Sequence, residues 1–257
     1  MKHPLRTLLL AVCCGLAAAC TQRQERLKLM SYNIRNGIGI DNIQDIGRIA
    51  RVILREAPDL VALQELDSAT LRVDGRYIPG ELGRMTGMHA TFGRAIGFAG
   101  GSYGIGLLSR TEPLAVRSIP LPGREEARVL LMAEFPDYTV CITHLSLTPE
   151  DRHASLPIIR EATDTCRKPV LLAGDFNTGN AAAVLAGLGG GFRILSDTTR
   201  MTFPSDNPAV RIDYILGRGL PTSATVAESA VDHTATASDH CPLWVTLVWK
   251  RGKQPGK

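Results

Sequence analysis

From residue 27 to residue 249 the chain switches repeatedly between short apolar runs and stretches whose apolar side chains recur every three or four positions. Leu27–Ile34 sets Leu27, Leu29 and Met30 ahead of Tyr32 and Ile34 and predicts a strand. Asp41 and Asn42 then stand as caps for a helix carrying Ile43, Ile46, Ile49, Ala50, Ile53 and Leu54, which Ala57-Pro58 ends. Leu60-Val61-Ala62-Leu63 is wholly apolar, as a strand buried on both faces would be. Further strands are expected near His89–Phe92, Gly104–Ser109, Ala115–Ile119, Arg128–Phe135 and Thr139–Leu145. Thr148-Pro149-Glu150-Asp151 predicts a helix start with a hydroxyl cap, Pro in the first turn and acids beside it. Pro157 should kink or split that helix. Val170–Ala173, Arg211–Leu216, Thr222–Ala227 and Leu243–Val248 complete the expected strands, and Gly187 to Gly191 forms a turn-rich break. No internal repeat or linker interrupts this plan. The reading is one α/β domain of two packed mixed sheets with helices outside.

The first twenty residues follow a different pattern. Lys2 and Arg6 precede an apolar run from Leu8 to Ala19 that stops at Cys20. A charged start, a short apolar stretch and small residues describe a secretory leader, and the run is too short to span ~30 Å of hydrocarbon. Leu16-Ala17-Ala18-Ala19-Cys20 resembles a bacterial lipobox, with Leu four rather than three positions before the Cys. The expected organisation is a lipoprotein-type signal at 1–19, a tether at 20–26 with Cys20 lipidated, one folded domain at 27–249 and a basic tail at 250–257. The alternative is an ordinary cleaved leader with an incidental Cys. Thr21-Gln22 lacks an Asp after the Cys, which by resemblance points to an exported protein of the bacterial cell envelope, anchored at the outer membrane.

Composition narrows the partners. The chain has 257 residues, 29 Lys and Arg and 25 Asp and Glu, and only 5% are aromatic. Without the leader's Lys2 and Arg6 the balance is 27 basic against 25 acidic, so no electrostatic funnel awaits a long polyanion. Nucleic acid is therefore not the favoured partner. After Cys20 only Cys141, Cys166 and Cys241 remain, with no CxxC spacing, so neither a disulfide framework nor a zinc site is expected.

Each apolar run ends in polar residues that packing does not explain. Strand one runs into Asn33, Leu60–Leu63 into Gln64-Glu65, Cys141-Ile142-Thr143 into His144, and Val170–Ala173 into Gly174-Asp175-Phe176-Asn177. Asp213 lies within Arg211-Ile212-Asp213-Tyr214, and Ser238-Asp239-His240 precedes the last strand. Carboxylates and amides at strand ends suit a hard divalent cation, and imidazoles and amides suit a phosphate. Singly each is as readily a turn former or a satisfied structural residue. Asp213 is the exception: a carboxylate in an apolar strand needs a partner, either His240 or the nearby Arg211 or Arg218.

Taken in order, Ser31-Tyr32-Asn33-Ile34-Arg35, Leu63-Gln64-Glu65, Thr143-His144-Leu145, Gly174-Asp175-Phe176-Asn177, Arg211-Ile212-Asp213-Tyr214 and Ser238-Asp239-His240 resemble the motif set of the endonuclease/exonuclease/phosphatase (deoxyribonuclease I-like) superfamily. The resemblance runs from about Leu27 to Trp249 and implies a four-layer α/β/β/α sandwich. It implies a Mg²⁺-dependent phosphoesterase, with Mn²⁺ the alternative metal. Glu65 would be the principal metal ligand, supported by Asn33 and Asp239. Asp213 and His240 resemble the family's buried acid–imidazole pair, while His144 and Asn177 would contact the scissile phosphate. Asp175 would orient or deprotonate water or protonate the leaving oxygen, the water falling to either Asp175 or His240. Tyr103, Arg128 and Arg72 are weaker candidates for substrate contact, set against a packing aromatic and two surface arginines. The Gly101-Ser102-Tyr103-Gly104 stretch resembles small bacterial members grouped with proteins that remodel lipid anchors, which implies a lipid-linked or inositol-type phosphate at a membrane surface, a phosphodiester or a phosphomonoester. The competing expectations are a scavenging nuclease and a catalytically dead binding lipoprotein. The chain is expected to act as a monomer.

Overall fold

Successive residues of β1 (Gln24–Asn33) point to opposite sides of a sheet, and both sides are buried: Leu27 and Leu29 join one apolar cluster, Met30 and Tyr32 another. The computed structural model describes residues 24–250. After β1 come α1 (Ile46–Glu56), β2 (Leu60–Ser68), α2 (Ile78–Thr86), β3 (His89–Phe98), β4 (Gly101–Ser109), β5 (Ala115–Leu121) and β6 (Arg128–Glu134). Then follow β7 (Thr139–His144), α3 (Pro149–Asp164), β8 (Val170–Asp175), α4 (Ala181–Leu188), β9 (Arg193–Ile194), β10 (Asp213–Arg218), β11 (Thr225–Val231) and β12 (Leu243–Lys250). The proposed leader, Cys20 and residues 251–257 of the tail lie outside the described residues.

The strands form two six-stranded sheets, ordered β11-β12-β1-β2-β4-β3 and β5-β6-β7-β8-β10-β9. Both are mixed: β1–β2 and β7–β8 run parallel, and their neighbours antiparallel. The sheets pack face to face through Leu29, Leu60, Leu107, Leu131, Ile142 and Ile215. Outside the first sheet α1 and α2 cover Met30, Val61 and Leu63 with Ile49, Ile53 and Leu82. Outside the second, α3 and α4 cover Cys141, Leu172 and Leu216 with Leu156, Ile159 and Leu188. The result is the α/β/β/α sandwich, and strands buried on both faces explain the unbroken apolar runs.

Several elements differ from the sequence expectation for local reasons. α1 starts at Ile46, not after Asn42, because the Asp45 side chain accepts the Arg48 N–H and caps it. Asp41 instead closes a turn, accepting the Ile43 N–H and pairing with Arg48. Thr148 stands at the α3 N-cap, but its hydroxyl bonds the Glu125 carboxylate rather than the helix. Pro157 does not split α3, which runs unbroken over 16 residues. Both Pro157 and His153, whose carbonyl loses its helix partner, lie on the exposed face, where solvent lowers the cost of the missing bond. α2 and α4 were not anticipated: Gly80 and Gly83 dilute the periodicity of α2, and the alanines of α4 merge into the glycine break that ends it. β11 lies a few residues later than expected, and its register against β12 shifts between Val226 and Glu228.

For function, one consequence of the topology matters most. The carboxyl ends of the two parallel pairs, β1–β2 and β7–β8, lie at the same pole, with β1 packed across from β8. Asn33, Glu65, His144 and Asp175 are thereby delivered to a single rim.

Candidate active site

Asp175 is the hub. It is the last residue of β8 and is buried. Its Oδ1 accepts the Asn177 N–H at 2.8 Å and its Oδ2 accepts Asn33 Nδ2 at 3.1 Å. Two imidazole nitrogens face the same Oδ2, His144 Nε2 at 3.5 Å and His240 Nε2 at 3.7 Å. Gly174 makes the placement feasible. At φ +154° a Cβ there would sit 1.9 Å from the Thr143 carbonyl oxygen, so only glycine lets β8 run this close to β7.

Glu65 reaches the hub through a bulge. The β2–β4 register shifts between Leu63 and Leu66, and Glu65 itself takes φ +58°, a strained conformation for a residue with a Cβ. Its Oε1 accepts the Asn33 amide at 2.9 Å, and its Oε2 has no protein partner among the described residues. Asn33 thus clamps Glu65 and Asp175 with one NH₂ group, while its Oδ1 takes the Arg35 N–H.

Asp213 opens β10 directly opposite Asp175. Its Oδ2 receives the Thr202 hydroxyl at 2.6 Å and lies 3.0 Å from His240 Nδ1. His240 therefore sits between two carboxylates, with Phe203 against its ring at 4.8 Å between centroids. Burial alone would depress the imidazole, but the charges of Asp213, Asp175 and Asp239 outweigh it and push His240 up to about 10. Asp175 is driven the other way from a usual carboxylate, up to about 7, by burial and the charge of Asp213. The two shifts favour the charged form of His240 and raise the proton affinity of Asp175.

The remaining candidates line the rim. Asn177, at φ +50°, donates its Nδ2 to the Leu145 carbonyl, which ties the loop after β8 to that after β7. Asp239 is partly exposed and pairs with Arg35 at 3.5 Å. Arg128 is not a surface arginine: it is buried against His144, Glu125 and Glu126. Tyr103 is buried, and the Arg72 guanidinium lies over it at 5.2 Å and over Phe98 at 4.6 Å. Arg72 is anchored there by Asp67 and Asn36. Asp213 has found His240, not Arg211 or Arg218 as its partner. Cys141, Cys166 and Cys241 are free thiols. His233 is exposed on Met201 O, and His89 and His153 lie away from the cluster on exposed positions.

Sequence reasoning missed Thr202, Phe203 and the supporting part of Glu125 and Glu126. A threonine and a phenylalanine in an irregular loop carry no signal. The run Glu125-Glu126-Ala127-Arg128 did carry one, a charge cluster at the mouth of an apolar strand.

Two donor sets offer themselves to a cation. Asp175, Asp213 and His240 present ligand atoms within 4.8 Å of one another. There, however, the imidazolium already bridges the carboxylates, Nδ1 to Asp213 and Nε2 towards Asp175. Glu65 and Asp239 supply carboxylate oxygens at the partly open rim, and Glu65 keeps one oxygen free of protein partners among the described residues. Asn33, whose NH₂ faces Glu65 while its Oδ1 takes the Arg35 N–H, would add an oxygen only with its amide turned over. Glu126 is raised by burial and then by the Glu65 charge, so negative charge accumulates at that mouth. This second set fits a hard, oxygen-seeking dication.

Fold and cluster together define the class: an α/β/β/α sandwich with a buried acid–imidazole cluster beside a carboxylate-lined rim. The chain belongs to the Endonuclease/Exonuclease/phosphatase family, whose model matches residues 30–240. It is a phosphoester hydrolase of a family whose enzymes typically depend on a divalent metal. Solved structures agree on the fold. An endonuclease/exonuclease/phosphatase from Beutenbergia cavernae superposes with a TM-score of 0.70 at 23% identity, covering 88% of this chain and 72% of that one. Mannosyl-6-phosphatase Bt3783 of Bacteroides thetaiotaomicron gives 0.68 at 19%, over 86% and 99% of the two chains. TDP2 of D. rerio, solved with a single-strand DNA product, gives 0.65 at 22%, over 86% and 98%. No curated protein sequence matches the chain closely enough to serve as a counterpart.

Proposed function

We propose that the chain is a Mg²⁺-dependent phosphodiesterase that hydrolyses its substrate by in-line attack of water. The observation that carries this reading is His240 held between Asp213 and Asp175. Carboxylates at 3.0 Å from Nδ1 and 3.7 Å from Nε2 favour the doubly protonated imidazole, which suits His240 to donate rather than to act as the base. Asp175, raised towards neutrality and oriented by Asn33 and the Asn177 N–H, takes the proton from water. His240 and His144 then donate to non-bridging oxygens as negative charge grows on them. The ester P–O bond opposite the attacking water breaks, and the leaving oxygen takes a proton from solvent while Asp175 returns its own to solvent. Glu65, Asn33 and Asp239 would hold Mg²⁺, or Mn²⁺, whose contribution when bound is charge neutralisation at the phosphate. Tyr103, with Arg72 stacked over it, lies beside Glu126, Arg128 and His144 and would contact the substrate there.

We further propose that the protein is exported and tethered at the cell envelope through Cys20. β1 enters the fold at Gln24 and reaches the catalytic pole at Asn33, about 30 Å away along the strand. Residues 21–23 are too few to bridge that span, at most ~3.5 Å each. An anchor at Cys20 would therefore hold the catalytic pole away from its own membrane. That favours a small or inositol-type phosphodiester arriving from the aqueous side over a lipid in the anchoring leaflet. Near-balanced charge supports this over a scavenging nuclease.

The test is turnover by the soluble chain from Thr21 on a chromogenic phosphodiester, a phosphomonoester, plasmid DNA and an inositol phospholipid, each with Mg²⁺ and with EDTA. Metal-dependent diester cleavage abolished by Asp175→Asn supports the proposal. Preference for the monoester or for DNA would replace it with the phosphatase or nuclease reading, and silence on all four would favour a binding protein.

A further inference from the structure

Arg128 is only 7% exposed, yet its guanidinium is not aimed at solvent or at one acid. Nη1 lies 2.9 Å from Glu126 Oε1 and 3.3 Å from His144 Nδ1, and Nη2 lies 3.3 Å from Glu125 Oε1. A guanidinium has N–H donors, no acceptor, and stays charged. The contact with His144 can have only one sense: arginine donates and Nδ1 accepts. A ring nitrogen that accepts carries no proton, so the single proton of His144 sits on Nε2. Nε2 is the atom that faces Asp175 Oδ2 across 3.5 Å.

We infer that Arg128 is a positioning residue for the reaction: it holds His144 as the neutral tautomer protonated at Nε2, and so turns the ring's one N–H donor towards the phosphate. The inference rests on the proposed role of His144 at the phosphate. The two histidines of the site are then set oppositely by their partners. A carboxylate at Nδ1 makes His240 a cation, and a guanidinium at Nδ1 makes His144 a neutral donor. Other charges around His144 act the same way. Burial first, then Arg128 and His240, press it well below the usual imidazole range, and Glu125 opposes only weakly.

Glu125 and Glu126 complete the device. Glu126 accepts from Nη1 and Glu125 from Nη2, which fixes the plane of Arg128 although its Nε finds no partner among the described residues. Glu125 is itself tied to Ser146 and the Leu147 N–H just beyond His144. The whole arrangement comes from the short run Glu125-Glu126-Ala127-Arg128, which opens β6 beside β7.

The experiment reads the tautomer directly. In the full-length protein with ¹⁵N-labelled histidine, imidazole nitrogen resonances are recorded near neutral pH and His144 is assigned by loss of its signals in His144→Gln. An unprotonated Nδ1 with a protonated Nε2 is expected. A protonated Nδ1 in the wild type overturns the inference, whether or not any substrate is turned over. Arg128→Met should move the proton or mix the tautomers, and Arg128→Lys, which keeps a donor-only cation and preserves folding if Met does not, should restore the wild-type pattern.

On bis(p-nitrophenyl) phosphate with Mg²⁺, Arg128→Met should lower kcat about 10- to 100-fold, as loss of an orienting partner does, with KM little changed. The double variant Arg128→Met/His144→Gln should be no slower than His144→Gln alone. Additive losses would mean that Arg128 contacts the phosphate independently, and would overturn its action through His144. If the diester is not a substrate, the kinetic arm fails with the proposed function while the resonance arm still decides this one.

Discussion

His240 Nδ1 stands 3.0 Å from Asp213 Oδ2, and the same carboxylate oxygen receives the Thr202 hydroxyl at 2.6 Å. Asp213 thus shares one oxygen between the imidazole and a hydroxyl from the loop just before β10, while its Oδ1 is buried without a partner among the described residues. Asp213→Asn keeps the volume and the Thr202 contact but removes the negative charge that maintains His240 as a cation. Turnover of a diester should fall about 10²- to 10⁴-fold, the usual worth of a positioned proton donor. Steady-state kinetics beside a thermal melt separates this from unfolding; a variant within twofold of wild type would remove His240 from the chemistry.

Glu65 gives a prediction about metal. Glu65→Gln keeps the bulge and an oxygen for the Asn33 amide but removes the carboxylate at the oxygen-rich mouth. Calorimetric Mg²⁺ affinity and activity should drop together, while melting without metal stays at or above wild type because repulsion with Glu126 is relieved. Undiminished Mg²⁺ binding would shift the cation towards Asp175 and Asp213.

Glu125 makes acid stability measurable. Burial would raise its carboxyl, but bonds from Ser146, the Leu147 N–H and Arg128 prevail and pull it down to about 2. A lowered folded value stabilises above the ordinary carboxylate range, near 4.5, and the contribution disappears as pH falls towards 2. Melting temperature followed from pH 5 downwards should fall less steeply in Glu125→Gln than in wild type. Parallel curves would show that the carboxylate contributes nothing to the fold.

Gly174 is the least replaceable backbone position of the site. An alanine methyl would meet the Thr143 carbonyl at 1.9 Å, backbone against backbone between two central strands. Gly174→Ala should cost several kcal/mol in urea unfolding and misplace Asp175. A melt within a few degrees of wild type would show that β7 and β8 can separate at their ends.

Tethering should be neutral for catalysis on soluble substrates. If Cys20 carries lipid and the catalytic pole faces away, protein reconstituted on vesicles should turn over a soluble diester as fast as the chain from Thr21. It should gain nothing from a phosphoester embedded in the same vesicle. Cys20→Ser should leave membrane fractions; unchanged fractionation would remove the anchor.

Much of this was legible because strands buried on both faces leave no local packing reason for a polar residue. Asn33, Glu65, His144, Asp175 and Asp213 therefore stood out at the ends or beginnings of apolar runs, and their order along the chain resembled one family. Helices with glycine or alanine in place of an apolar stripe, α2 and α4, gave no comparable contrast. What no run of residues contained was the pairing. That Asn33 clamps Glu65 and Asp175, that Asp213 takes His240 rather than Arg211, and that Arg128 donates to His144 depend on which strands lie opposite across two sheets. The chain by itself determined the layers and the chemical groups, since burial and periodicity are properties of neighbours in sequence. Only the tertiary structure decided which histidine became the cation and which the neutral donor, because a side chain's charge follows the partner brought to it from elsewhere in the chain.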